Sequence, residues 1–100
     1  MSARLIALAG GTDIVVDSAL VLVGRHPGCD VRLHSCRVSR IHCCLGRLSD
    51  EIFVRDLAST HGTKINGLRA EMGRLRTGDE LSIAHLRYRL EEAPAKRATW

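Results

Sequence analysis

Short apolar runs, each ended by a turn signal, make up most of the chain. The runs are "ARLIALA" (3–9), "ALVLVGR" (19–25), "DVRL" (30–33), "RIHCCL" (40–45), "EIFVRDL" (51–57), "ELSIA" (80–84) and "LRYRL" (86–90). Gly10-Gly11, Pro27-Gly28, Asn66-Gly67 and Gly78-Asp79 punctuate them. The runs are rich in β-branched residues or alternate in polarity, and no window sustains the apolar stripe of period 3.6 that marks a helix. In "EIFVRDL", Ile52 and Val54 fall on one face while Glu51, Phe53 and Arg55 fall on the other, the period-two signature of a strand. In "TKINGLR", an Asn-Gly pair between two extended runs predicts a hairpin, because both central positions of a type I′ turn need positive φ. Many short strands separated by turn residues predict an all-β sandwich or barrel.

Composition narrows this picture. One hundred residues, 45% of them apolar, suit a single domain with one core. The domain is placed at residues 1–92. Residues 93–100, in the proline-bearing end "EEAPAKRATW", read as a tail or a cut linker. The only aromatics are Phe53, Tyr88 and Trp100, so the core must be aliphatic. So few rings also make a poor stacking platform for single-stranded nucleic acid.

Charge adds a direction. The net charge is +4, and the stretch from Leu22 to Asp50 carries Arg25, Arg32, Arg37, Arg40 and Arg47 against only Asp30 and Asp50. Such an excess attracts anions without distinguishing nucleic acid, membrane and phosphoprotein. No segment approaches the ~20 apolar residues of a membrane span. The apolar patch in "MSARLIALAGG" falls short of a signal-peptide core of ~7–15 residues. The expected location is therefore the cytoplasm, with the four cysteines as free thiols.

The densest chemistry lies in "HSCRVSRIHCC", residues 34–44. A structural zinc site would need close ligand pairs, and Cys29, Cys36, Cys43 and Cys44 offer none; Cys43 and Cys44 point to opposite faces of a strand. A cysteine nucleophile would need an imidazole beside it, yet His42 and Cys43 are also strand neighbours that face apart. Neither a Gly-x-Ser-x-Gly elbow nor a Gly-x₄-Gly-Lys-Ser/Thr loop occurs. The expectation is no enzyme, no metal and no cofactor. An anion site fares better. A phosphate monoester favours an arginine fork, with hydroxyl and amide donors for its remaining oxygens. Gly24-Arg25 beside the Pro27-Gly28 turn, Ser39-Arg40, and the polar loop "STHGT" (59–63) supply those groups in that order.

That order resembles the forkhead-associated (FHA) domain, a phosphothreonine-peptide binding module. The pattern of Gly-Arg, Ser-x-x-His, a strand ending in Asp and leading to Ser/Thr-x-Gly-Thr, then Asn-Gly and Gly-Asp is met by Gly24-Arg25, Ser39 to His42, "VRDLASTHGT", Asn66-Gly67 and Gly78-Asp79. The matches run from about Val23 to Leu90. The resemblance implies a sandwich of two β-sheets with about eleven strands and a peptide site on the loops at one end. It implies that Arg25, Ser39, Arg40, Thr60 and His61 line the phosphopeptide site, and that Gly24, His42, Gly62, Asn66 and Gly67 support the loops. His61 stands where the family often has Asn; one imidazole lacks the paired donor and acceptor of an amide.

On this reading "HSCRVSRIHCC" is a loop running into a strand, with Ile41, Cys43 and Leu45 turned to the core and Cys43 a small apolar filler. Cys29, Cys36 and Cys44 have no assigned role. The implied partner is a phosphothreonine-bearing protein of a Ser/Thr kinase pathway, with no membrane partner. Two other readings stand beside it: a scaffold of the same fold that binds a partner through its sheet surface without phosphate, and, less favoured, a basic nucleic-acid binder.

Overall fold

The structure, a computed structural model, describes residues 2–49 and 51–93, which form eleven strands in two sheets and no helix. The first sheet has the order β2-β1-β11-β10-β7-β8, from β1 (Ser2–Ala7), β2 (Ile14–Val16), β7 (Thr63–Ile65), β8 (Leu68–Arg69), β10 (Glu80–Ile83) and β11 (Leu86–Ala93). The second has the order β4-β3-β5-β6-β9, from β3 (Val21–Gly24), β4 (Val31–Arg32), β5 (Cys43–Leu48), β6 (Glu51–Asp56) and β9 (Met72–Leu75). The β3–β4 pair is parallel and the other ladders are antiparallel.

The alternation read from "EIFVRDL" holds: Ile52 and Val54 are buried, while Glu51 and Arg55 are exposed and Phe53 is half-buried on the outer face. Leu5, Val16, Val23, Leu45, Leu81 and Leu90 meet them between the sheets, so the core is aliphatic apart from Cys43 and Tyr88. Burying each such Leu, Ile or Val contributes roughly 1.5–3 kcal/mol. The Asn-Gly hairpin also forms as expected. Ile65 pairs with Leu68, and the two residues between them have φ of 50° and 83°.

Three details differ from the sequence reading. The apolar runs did not signal β2 or β9; β2 has only three residues, and β9 carries Gly73 and Arg74 and exists because β6 offers it a ladder. Ile41 does not join the core face: β5 begins at Cys43, and Ile41 lies in the preceding loop, 39% exposed. The chain bends at Arg40 and Ile41, so the alternation that places Cys43 and Leu45 inside does not extend back to Ile41. The expected tail lies largely outside the described residues, and β11 runs to Ala93.

The antiparallel order has one consequence for function. The C-terminal ends of β3, β6 and β10 and the N-terminal ends of β5 and β7 all emerge at the same end of the sandwich. The connections carrying Arg25, Ser39, Thr60 and the β10–β11 turn therefore share that end.

Candidate functional site

The first arm of the site leaves β3 at Gly24. A side chain here is impossible without moving the backbone, since a Cβ would stand 2.1 Å from the Arg40 carbonyl oxygen. That close approach lets the ladder continue beyond the strands. The Arg25 amide donates to the Ser39 carbonyl and the His26 amide to the Arg40 carbonyl, both at 3.0 Å. Arg25 Nε donates to the Val38 carbonyl at 3.0 Å, which pins the half-buried side chain and leaves its terminal guanidinium nitrogens uncommitted among the described residues. Val38, fully buried, anchors this loop in the core. Cys29, for which the sequence offered no role, is buried under the same loop with its Sγ 3.5 Å from the Arg40 carbonyl.

The second arm is the loop between β6 and β7, folded around Asp56. One carboxylate oxygen accepts from the Ser59 amide at 3.0 Å; the other accepts from the Ser59 hydroxyl and from Thr63 Oγ1 at 2.7 Å. Ser59 Oγ in turn accepts from the Gly62 amide at 3.0 Å. Partial burial pushes the Asp56 carboxyl upward, but the hydrogen bonds from Ser59 and Thr63, with the nearby His42, outweigh it and hold its pKa below the ordinary value. Gly62 sits at φ 85°, a conformation that disfavours any side chain.

Two bonds draw the arms together. Ser39 Oγ accepts from the Thr60 amide at 3.0 Å. His42, completely buried, reaches both sides: its Nδ1 lies 3.1 Å from the Ser39 amide and its Nε2 lies 2.9 Å from the Gly62 carbonyl. An amide can only donate, so Nδ1 is the acceptor and Nε2 carries the proton that goes to Gly62. The Ala84 amide, in the β10–β11 turn, meets the same carbonyl at 3.1 Å.

The residues expected to line the site thus fall into two groups. Arg25, Ser39 and Thr60 are brought together by direct bonds, with Arg40 exposed next to Ser39 and His61 exposed next to Thr60. Of the expected supports, Gly24, His42 and Gly62 lie directly under the loops. Asn66 and Gly67 do not. They occupy the opposite end of β7, where Asn66 Oδ1 accepts from the Glu80 amide at 2.9 Å and its Nδ2 donates to Asp79 at 3.2 Å. Their bonds hold the β7–β8 hairpin to the start of β10, a strand's length from the loops. Asp56, Ser59 and Thr63 organise the loop without standing out in the sequence, where Asp56 is visible only as the end of a strand.

Cys43 and Cys44 face apart as expected: Cys43 is buried, while Cys44 is half-buried on the outer face. Burial, with Cys44 and Asp56 close by, pushes the Cys43 thiol far above the usual cysteine value, so it stays protonated. A cavity of about 460 Å³ lies at the other end of the sandwich, lined by Glu51, Arg74, Leu75, Arg76, Thr77 and Glu92. It does not touch the converging loops, whose open, donor-rich surface suits an extended ligand.

The FHA domain family model matches residues 21–84, a span containing both arms and their braces. The chain belongs to the FHA domain family. The FHA domain-containing protein PS1 of Arabidopsis thaliana is 37% identical over 79% of this chain and 6% of its own length. Glycogen accumulation regulator GarA of Mycobacterium tuberculosis is 34% identical over 77% of this chain and 48% of its own. This FHA domain therefore spans about half of GarA and a small part of PS1. Among solved structures, an FHA domain studied for phosphothreonine-dependent interactions superposes with a TM-score of 0.86 at 25% identity, covering 94% of this chain and 99% of that one. The two-sheet architecture read from the sequence is the FHA fold. No helix among the described residues is long and apolar enough to cross a membrane.

Proposed function

We propose that this chain is a phosphopeptide-binding adaptor that recognises phosphothreonine in a partner protein of a Ser/Thr kinase pathway in the cytoplasm, and that it is not an enzyme. The observation that carries the reading is the bond from the Thr60 amide to Ser39 Oγ, which brings the Arg25–Arg40 arm and the 59–62 loop to one point. Arg25, its guanidinium held by the Val38 carbonyl, is the fork donor for the phosphate. Ser39, whose oxygen is already an acceptor, keeps its hydroxyl proton for a phosphate oxygen. Arg40 adds a second positive charge, and Thr60 and His61 face the peptide. Membership of a family with a member studied for phosphothreonine-dependent interactions supports the same reading, as does a regulator among the relatives.

A phosphothreonine carries about −1.5 to −2 charges on tetrahedral oxygens. Hydrogen bonds to charged groups contribute ~1.5–3 kcal/mol each, so three or four supply most of the ~8 kcal/mol of a micromolar complex. The test is titration of a phosphothreonine peptide library and its unphosphorylated twin against wild type and Arg25→Ala. Phosphate-dependent binding that falls roughly a hundredfold or more in the variant is expected. A glutamate-substituted peptide binding within about threefold of the phosphopeptide would overturn the reading, since glutamate has one charge and a planar head.

A second reading rests on a different surface. Leu20, Leu48 and Met72 are 63%, 55% and 62% exposed, and with Phe53 they put apolar surface on the outer side of the second sheet, among Glu51, Arg55 and Arg74. A phosphate-independent scaffold would use that face. It predicts partner binding that survives Arg25→Ala and is lost when Met72 and Leu48 become polar.

A further inference from the structure

The two outer faces of the sandwich differ in kind. Outward positions of the first sheet include Arg4, Lys64, Glu80, Arg87, Arg89 and Glu91. On the second sheet three levels run across the strands. Leu22 and Cys44 stand level with Arg55 and Met72, Gly46 with Phe53 and Arg74, and Leu48 with Glu51. Leu20, just before β3, continues this face beside Gly46. Half of the six large apolar side chains that are exposed among the described residues, Leu20, Leu48 and Met72, lie on this one face. A monomer rarely leaves such side chains together in water.

The face has a raised side and a hollow side, with the Phe53 ring between them. Toward β3, the Ala19 carbonyl stands where a side chain of Gly46 would be, so residues 19–20 ride over β5 and lift Leu20 into solvent. Toward β9 lies an open hollow of about 320 Å³, lined by Phe53, Val54, Arg55, Met72, Gly73 and Arg74. A smaller one of about 100 Å³ lies over Gly46, between Leu20, Leu48 and Phe53. A two-fold axis parallel to the strands, set between β5 and β6, exchanges the two sides. It lays β5 of one copy over β6 of another, and β3 over β9. Leu20 then meets the large hollow of the second copy, Leu22 meets Met72, and the Phe53 ring meets the small hollow at Gly46. The same operation sets Glu51 over Leu48, Arg55 over Cys44 and Arg74 over Leu20, so no charge directly faces its own sign. Glu51 is already held by Arg74 of its own copy at 2.7 Å.

We propose that the outer face of the second sheet is a homodimer interface, in which Leu20 of each copy seats in the hollow beside Phe53 of the other. Such an interface is isologous, with the same patch used on both sides, and the two sheets pack face to face with nearly aligned strands. Four strands ~4.8 Å apart and about five residues long give each copy a footprint of roughly 300 Å². That is the small end of specific interfaces, so the dimer is weak, with an expected Kd of about 10–100 µM. An axis parallel to the strands leaves the converging loops of both copies at the same end. The dimer therefore presents two binding ends side by side, and a partner with two phosphothreonines gains from holding both. That last consequence alone rests on the phosphopeptide reading; the dimer does not.

The experiment is analytical ultracentrifugation of the chain, without peptide, from about 5 to 500 µM, a range that brackets the expected Kd. The proteins are wild type, Leu20→Lys, Arg74→Glu, the double variant Leu20→Lys/Arg74→Glu and Arg25→Ala, each checked by thermal unfolding. Wild type is expected to approach twice the monomer mass at the upper end. Leu20→Lys puts a cation against Arg74 of the second copy and should weaken dimerisation about tenfold or more. The double variant turns that repulsion into an attraction and should return to within about threefold of wild type. Within one copy the two positions lie three strand spacings apart, ~14 Å, beyond the ~8 Å screening length, so their coupling can arise only across the interface. Arg25→Ala should dimerise as wild type does, which separates this result from the fate of the phosphopeptide reading. The proposal is overturned if wild type stays monomeric throughout, if Leu20→Lys dimerises as well as wild type, or if the double variant is no tighter than Leu20→Lys.

Discussion

His42 and Asn66 perform the same task in opposite surroundings. Each side chain accepts from a backbone amide with one atom and donates across the chain with another. His42 accepts from Ser39 at 3.1 Å and donates to Gly62 at 2.9 Å; Asn66 accepts from Glu80 at 2.9 Å and donates to Asp79 at 3.2 Å. The lengths barely differ, but the burial does: His42 has none of its surface exposed, whereas Asn66 is open to solvent. Water can stand in for the bonds of Asn66. It cannot reach those of His42, and a buried polar group left without a partner costs about 1–3 kcal/mol. Position compounds the difference, since His42 ties the two arms of the site to each other and Asn66 ties a hairpin to the turn before β10. Burial and place, rather than the number of bonds, decide which brace the site cannot lose.

The sharpest way to break this comparison is His42→Ala. It removes the tie between the arms, strands the Ser39 amide and opens a cavity, for an expected loss of about 2–4 kcal/mol. At this chain length that lowers Tm by roughly 10 °C or more. Phosphopeptide affinity should fall about tenfold or more, because Ser39 and Thr60 are no longer held in register. Thermal unfolding and anisotropy read the two effects separately; a variant as stable as wild type would show that burial of His42 counts for little.

Asp56 comes next, because it organises the same loop from within. Asp56→Asn replaces one acceptor oxygen with a donor that faces either the Ser59 amide or its hydroxyl and that of Thr63, for an expected loss of about 1–2 kcal/mol. The charged form also sets a pH window. The folded pKa of Asp56 lies below its unfolded value of 3.8, so the carboxylate's contribution is fully present above pH 4 and is lost as pH falls through the folded pKa. Unfolding curves from pH 6 down to pH 2 should show wild type losing stability below pH 4 more steeply than Asp56→Asn. Parallel curves would remove Asp56 from the account.

The smallest expected effect is that of Asn66→Gly, chosen because glycine tolerates the φ of 50° and only the side-chain bonds are lost. A loss of about 0.5–1 kcal/mol is expected, with phosphopeptide affinity within about twofold of wild type. An affinity loss matching that of His42→Ala would mean that the support of Asn66 reaches the site through β7 after all.

Much of this molecule was legible before the fold was known, and the legible parts share a property. The alternation of Ile52 and Val54, the opposite facing of Cys43 and Cys44 and the Asn66-Gly67 turn depend on neighbours in the chain. The order of Gly24-Arg25, Ser39 to His42 and "STHGT" was readable as a pattern, even though its members come from loops far apart in sequence. Ile41 is misplaced when alternation is carried two residues back beyond the start of β5. Strand β9 went unread because its pairing is dictated by β6 rather than by its own residues. Asp56 was visible as the end of a strand, but its partners Ser59 and Thr63 become partners only when the loop closes on it.

The sequence alone therefore determined the strand-forming runs, the hairpin turn, the aliphatic core and the set of phosphate-type donors, all of which follow from backbone preference, side-chain alternation and residue chemistry over a few neighbouring positions. Tertiary structure decided the rest. It set the close approach of the Arg40 carbonyl that forbids a side chain at Gly24, the proton position on His42, the separation of Asn66 from the loops, and the seating of the Arg69 guanidinium on Gly62. Each of these is a distance between segments that the order of the strands brings together, and local preferences carry no information about such a distance until the two sheets have closed on their core.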